Sequence, residues 1–206
     1  MYDLRKSVIL AEAGIQRTYM PEQTPESFKP LEQKDEPLLS PLWQISAEEA
    51  KAILDKKEID PAVGIVVAKF DKPPFEFEGQ TYSVYAARVR AKKESGAQPF
   101  VTPHLHKKGS EPYRFLSEGG EMNFGKVEAN EVKWLSPLVV SNGQEVIIEQ
   151  DEVHSFRNNG SGDADFVFAC PDSHLQDYDE RDRPTGDRFI VKNLKNGIPS
   201  HYEVTS

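Results

Sequence analysis

The chain is 206 residues long, with 37 % hydrophobic and 29 % charged residues, a formal net charge of −9 and a pI near 5.1. That is enough chain for one large domain with a sizeable core and a well-solvated surface, and it argues against a disordered protein. The negative field disfavours nucleic acid and anionic membrane. The lone cysteine, Cys170, forbids an intrachain disulfide, and no stretch approaches the ~20 apolar residues of a bilayer span.

Near the start, the apolar run Val8 to Ala11 is shorter than the ~7–15 residues of a secretory signal core. The expectation is a soluble, cytoplasmic protein whose partner is a small molecule, with no nucleic acid and no membrane. Residues 1–42 are proline-rich, with Pro21, Pro25, Pro30, Pro37 and Pro41. Proline limits helices and blocks central strands, so this reads as an extended arm with one short strand near Ile15 to Tyr19. Ser46 to Leu54 is the clearest helix. Ser46 and Glu49 make a capping box, and Ile45, Ala50, Ile53 and Leu54 give it an apolar face.

Strand signals then dominate. Val63 to Phe70 is rich in valine and isoleucine. Thr81 to Val89 alternates Tyr82, Val84 and Ala86 with Ser83, Tyr85 and Ala87, and Glu78-Gly79 marks a hairpin before it. Further candidates are Phe100 to His106, Tyr113 to Leu116, Glu121 to Val127, Lys133 to Leu138, Glu145 to Ile148, His154 to Asn158, Asp165 to Ala169 and Arg188 to Val191. Many short strands separated by turn residues predict an all-β sandwich or barrel. The polar stretch Asp172 to Asp187 reads as a surface segment, with His174 on the surface.

Two of the five histidines, His104 and His106, stand one residue apart in PHLHKKGSE. Residues i and i+2 of a strand share a face, so both imidazoles would enter one space. The turn-like Lys107-Lys108-Gly109-Ser110 could fold Glu111 back beside them from an adjacent antiparallel strand. Two imidazoles and a carboxylate suit Fe(II), Mn(II), Ni(II) or Zn(II). A second segment, GQEVIIEQDEVHSFRN, places His154 at the start of a strand after a polar turn.

Together these segments resemble the two motifs of the cupin superfamily, G(X)5HXH(X)3–4E(X)6G and G(X)5PXG(X)2H(X)3N. His104, His106 and Glu111 match the first, with its closing glycine one residue late at Gly119-Gly120 and its leading glycine replaced by Gln98. Gly143, His154 and Asn158 match the second, where Glu149 replaces proline and Asp151 replaces glycine. Aspartate tolerates a left-handed backbone, so that turn remains feasible.

The resemblance implies a double-stranded β-helix, the jelly-roll or cupin barrel, with an extended N-terminal arm and one or two short helices. It divides the chain into an arm and short helix over residues 1–62, a barrel over 63–171 and a C-terminal extension over 172–206. It also implies one divalent transition metal held by His104, His106, Glu111 and His154, and a homodimer formed through sheet edges. Three neutral imidazoles and one carboxylate leave a divalent ion near +1, with positions open to substrate. Tyr113 and Phe156 are candidate pocket residues by strand phase. Arg88 and Arg90 are candidates to bind an anion at the barrel mouth. Dioxygenase-type oxidation of a small organic substrate is the leading expectation. A sugar-type isomerase or lyase working through a metal-stabilised enediolate, with Glu111 as catalytic base, and a non-catalytic ligand-binding module are the alternatives.

Overall fold

The computed structural model describes residues 40–59, 64–91, 98–128, 131–175, 187–191, 194–195 and 198–199. The expected strand near Ile15 to Tyr19 and most of the N-terminal arm lie outside these residues.

Two short helices come first, α1 (Ser40–Trp43) and α2 (Ala47–Leu54). The capping box forms as read: the Ser46 side chain accepts from the Glu49 amide, and the Glu49 carboxylate accepts from the Ser46 amide. Ile45, Ala50 and Leu54 are buried beneath it. The strands follow as β1 (Ile65–Lys69), β2 (Phe75–Phe77), β3 (Gln80–Val89), β4 (His104–His106), β5 (Glu111–Phe115) and β6 (Gly120–Glu128). After them come β7 (Glu131–Trp134), β8 (Leu138–Val140), β9 (Glu145–Ile148), β10 (Val153–Asn158) and β11 (Ala164–Cys170). A 3-10 turn (Asp172–Leu175) leads towards β12 (Arg188–Ile190), and β13 (Leu194–Lys195) pairs with β14 (Ile198–Pro199).

Two antiparallel sheets face each other. One has the order β1-β3-β11-β5-β9, with β2 added beside β3. The other has the order β12-β4-β10-β6-β7, with β8 added beside β6. Consecutive strands β4 and β5, and likewise β9 and β10, fall in opposite sheets, which is what a jelly roll requires. Glu78 and Gly79 turn the β2–β3 hairpin with φ of 50° and 72°, the left-handed pair that a two-residue hairpin demands.

Between the sheets lies an aromatic core of Tyr85, Tyr113, Phe115, Phe124, Phe156, Phe166 and Phe168. A second apolar layer covers the outer face of the first sheet, where Tyr82, Val84, Ala86, Val167 and Ala169 meet Leu42, Ile45, Ala50 and Leu54. Strand β3 is therefore buried on both faces, which explains why its sequence is apolar in both phases.

Two expected strands are shorter than read. Phe100 to His106 forms a ladder only from His104, because Pro103 has no amide to donate; Phe100 makes an isolated bridge to Arg157. Lys133 to Leu138 splits into β7 and β8 around Ser136-Pro137. The segment after residue 171 contributes to the barrel sheet, since β12 pairs with β4.

Candidate metal centre

Strand β4 supplies two of the four expected ligands. His104 and His106 project to the same side, and Leu105 between them packs into a separate apolar cluster with Val153 and Val191. On the neighbouring strand β10, His154 stands directly opposite His104, and their ring centroids are 4.2 Å apart. Glu111 arrives differently from expectation. Its strand is not adjacent to β4 but lies in the facing sheet, and Lys107 to Ser110 carry the chain across. Gly109, at φ 69°, leaves no room for a side chain, because a Cβ there would sit 2.6 Å from the Tyr82 hydroxyl. Tyr82 donates to the Ser110 carbonyl at 2.9 Å, and Ser110 donates to Glu78 at 2.8 Å. The crossing is thus pinned to the β2–β3 hairpin.

The second turn also forms despite its substitutions. Asp151 adopts φ 63° where the cupin pattern has glycine. Its amide donates to the His106 carbonyl at 2.8 Å, and its carboxylate pairs with Lys107 at 2.6 Å. The turn before His154 is therefore tied to the strand that carries His104 and His106.

All four candidate ligands are buried, from 5 % exposed at His104 to 1 % at His154, and one donor atom of each lies within 4.8 Å of all the others. The arrangement fits a metal ion. Nδ1 of His104 donates to the Thr102 carbonyl at 2.7 Å, and Nδ1 of His154 to the Glu152 carbonyl at 3.2 Å. A carbonyl oxygen can only accept, so each Nδ1 carries the proton and each Nε2 presents a lone pair. Nε2 of His154 and both ring nitrogens of His106 have no hydrogen-bond partner. Orphaned buried nitrogens of this kind are costly unless something else is bound there.

Electrostatics favour the ligand forms. Burial, reinforced by His154, holds His104 well below the ordinary histidine range. Burial likewise pushes His106 down to about 4, against the pull of Glu111. Burial opposes ionisation of Glu111, but His106 first, and then the nearby His154 and His174 imidazoles, outweigh it and hold the carboxyl well below its usual value. The neutral state of His106 follows from its burial, and the carboxylate state of Glu111 from the donors turned towards it. At neutral pH His104 and His106 are therefore neutral imidazoles beside a carboxylate.

Tyr113 adjoins this centre. Its hydroxyl donates to Glu111 Oε2 at 2.7 Å, and burial together with that carboxylate raises its pKa well above the ordinary tyrosine range. Phe156 packs in the aromatic core against Phe115 and Phe166. Arg88 is placed elsewhere. It follows the phase of Val84 and Ala86 on the outer face of β3, where Asp165 grips it at 2.7 Å and Asp55 of the α2 C-cap at 2.7 Å. The outward phase of position 88 removes it from the barrel mouth. Arg90 lies just past the end of β3, half-buried, with its amide bonded to Gly64.

His174 is the residue that sequence reasoning missed. Expected on the surface, it is fully buried in the 3-10 turn. Its ring stacks on His106 at 3.9 Å, Nδ1 lies 3.0 Å from Glu111 Oε1, and Nε2 lies 2.5 Å from the Lys108 carbonyl. The available signal was its place just after the closing strand, which ends beside the ligands. Glu111, Cys170 and His174 also lie close enough together to share an ion. Burial, with the Glu111 charge, raises the Cys170 thiol well above its usual range, so the four-residue set is the better one.

No family model and no curated protein matches this sequence. Solved structures do. Oxalate oxidase in complex with the substrate analogue glycolate is similar at 19 % identity and TM-score 0.43, over 57 % of this chain and 56 % of that chain. The polyketide cyclase RemF from Streptomyces resistomycificus is similar at 14 % identity and TM-score 0.34, over 52 % of this chain and 65 % of that one. The Schizosaccharomyces pombe Cnp3 cupin domain is similar at 11 % identity and TM-score 0.38, over 56 % of this chain and 64 % of that one. The match therefore spans little more than half of the oxalate oxidase. In its strand order the chain has a jelly-roll fold, with its candidate ligands carried by strands of both sheets.

Proposed function

We propose that the protein is a metal-dependent enzyme that oxidises a small organic substrate in a dioxygenase-type reaction. The observation that carries this reading is the closed set of His104, His106, His154 and Glu111, with unsatisfied imidazole nitrogens turned towards one point. A divalent transition metal held there would supply a Lewis-acidic, redox-capable centre with positions open to substrate. His104 and His154 are oriented for it by backbone carbonyls. Glu111 brings the one negative charge, and Tyr113 holds its second oxygen in place. The aromatic core beneath keeps that end of the barrel dry.

Isomerisation or lyase chemistry would need a base free to move a proton. Glu111, His174 and Tyr113 each already hold a partner at the centre. A proton shuttle would require one of them to let go, which favours oxidation as the first reading. Oxygen uptake by the iron-loaded protein, over a panel of chelating enediols, phenols and thiols, tests it. Consumption of oxygen that disappears in His154→Ala is the expected result. Turnover without oxygen would replace the reading by isomerase or lyase, and tight binding without turnover by a binding module.

A further inference from the structure

We propose that Arg188 sets the substrate class of this centre: it anchors a carboxylate, so the substrate is a small organic acid. The inference rests on the metal reading above and adds the identity of the ligand.

Placement is the first support. In the antiparallel pairing of β12 with β4, Arg188 stands opposite His106 and Ile190 opposite His104. Residues directly opposite in such a pair share a face. Phe189 between them stands opposite Leu105 and packs with it in the outer cluster. Arg188 therefore emerges on the side of the sheet that carries the imidazoles. Other arginines on described strands do not. Arg88 follows the outward phase of β3, Arg157 lies between the inward Phe156 and Asn158, and Arg114 lies between Tyr113 and Phe115, donating to the Trp43 and Ile45 carbonyls.

Exposure is the second support. The four candidate ligands are almost wholly buried, whereas Arg188 and Ile190 are half-buried. Strand β12 is thus a wall of the centre that reaches solvent, and a substrate approaching along it passes the guanidinium.

Charge is the third. Three neutral imidazoles and one carboxylate leave a bound divalent ion near +1, and Arg188 adds a second positive charge. Its field reaches the buried His104 and Tyr113. With the Tyr113 phenol held neutral by burial, a substrate that brings negative charge relieves this excess better than a neutral diol does. A guanidinium has five donors in a planar fork, so it can hold a protein neighbour and still grip a carboxylate.

The test compares lactate with lactamide, which share a skeleton and differ in the carboxylate. Metal content is measured first on Mn(II)-loaded wild type, Arg188→Gln and Arg188→Lys, and binding is then measured by calorimetry. Equal loading of all three is expected. Wild type should bind lactate about 10–100-fold more tightly than lactamide, as a charge-assisted pair gives. Arg188→Gln should lower that ratio about 10-fold, leaving only the metal's own preference for the carboxylate, and Arg188→Lys should fall between. Loaded wild type that binds both ligands equally, or neither, overturns the proposal alone, as does an unchanged ratio in Arg188→Gln. Wild type that takes up no metal overturns the metal reading, and this inference with it. Should Arg188→Gln fail to fold, Arg188→Lys decides: an intermediate ratio supports the proposal and an unchanged one contradicts it.

Discussion

His174 and Glu111 meet at 3.0 Å inside the protein, with the other nitrogen of His174 set against the Lys108 carbonyl at 2.5 Å. Carboxylate and carbonyl are both acceptors. Glu111 is fixed from two sides, by His174 at Oε1 and by Tyr113 at Oε2.

Removing that support should loosen the centre without dismantling it. Outer-shell partners of metal ligands are typically worth about 10–100-fold in affinity. His174→Ala is expected to weaken metal binding by that factor, read by competition with a chromophoric chelator. Affinity equal to wild type would reduce His174 to a space-filling residue.

Acid should destabilise the metal-free protein, and the sign follows from burial. His106 is pushed down to about 4 and His104 well below its ordinary range, while the unfolded chain takes up protons near ~6.5. Between those values the unfolded state binds more protons, so stability falls as pH falls, by at most about 1.4 kcal/mol per pH unit for each histidine. Glu111, also held low, adds a further loss that begins only below about pH 4.5. Denaturant midpoints between pH 7 and pH 5 should drop in wild type and drop less in His106→Gln. Parallel curves for the two proteins would contradict this.

Asn158 was legible only as a motif residue, and the structure gives it a mechanical role. Fully buried, it donates to the Val89 and Gly162 carbonyls and accepts from the Gly160 amide, each at 2.8 Å. It ties the end of β10 to β3 and to the turn that follows. Asn158→Ala leaves these groups unpaired and should cost about 2–4 kcal/mol of stability. Thermal and denaturant unfolding measure this, and metal affinity at low temperature should stay unchanged.

The helix that seals the outer face of the first sheet depends on its cap. Ser46→Ala should lower stability by about 1 kcal/mol, and Ser46→Asp should retain most of it. Equal melting temperatures for all three proteins would show that packing of Ala50 and Leu54 alone holds α2.

The barrel and the four candidate ligands were readable because their signals are local. His104 and His106 share a strand face, and the spacing around His154 repeats a known pattern. Both helix and hairpin announced themselves through Ser46-Glu49 and Glu78-Gly79. His174 was not readable, because its segment is polar and its burial is created by Glu111 and Lys108, far away in the sequence. Arg188 was read only as the start of a strand; its importance comes from pairing with β4, which no local pattern specifies. Arg88 misled for the converse reason: an arginine in a strand says nothing about which of two buried faces it joins.

The central claim is that His104, His106, Glu111 and His154 hold one metal ion. Metal analysis of protein purified without added metal, and again after reconstitution, tests it most directly. Close to one divalent ion per chain is expected, lost in a His104→Ala, His154→Ala double variant that still folds. Less than about 0.1 ion per chain, with no gain on reconstitution, would contradict it.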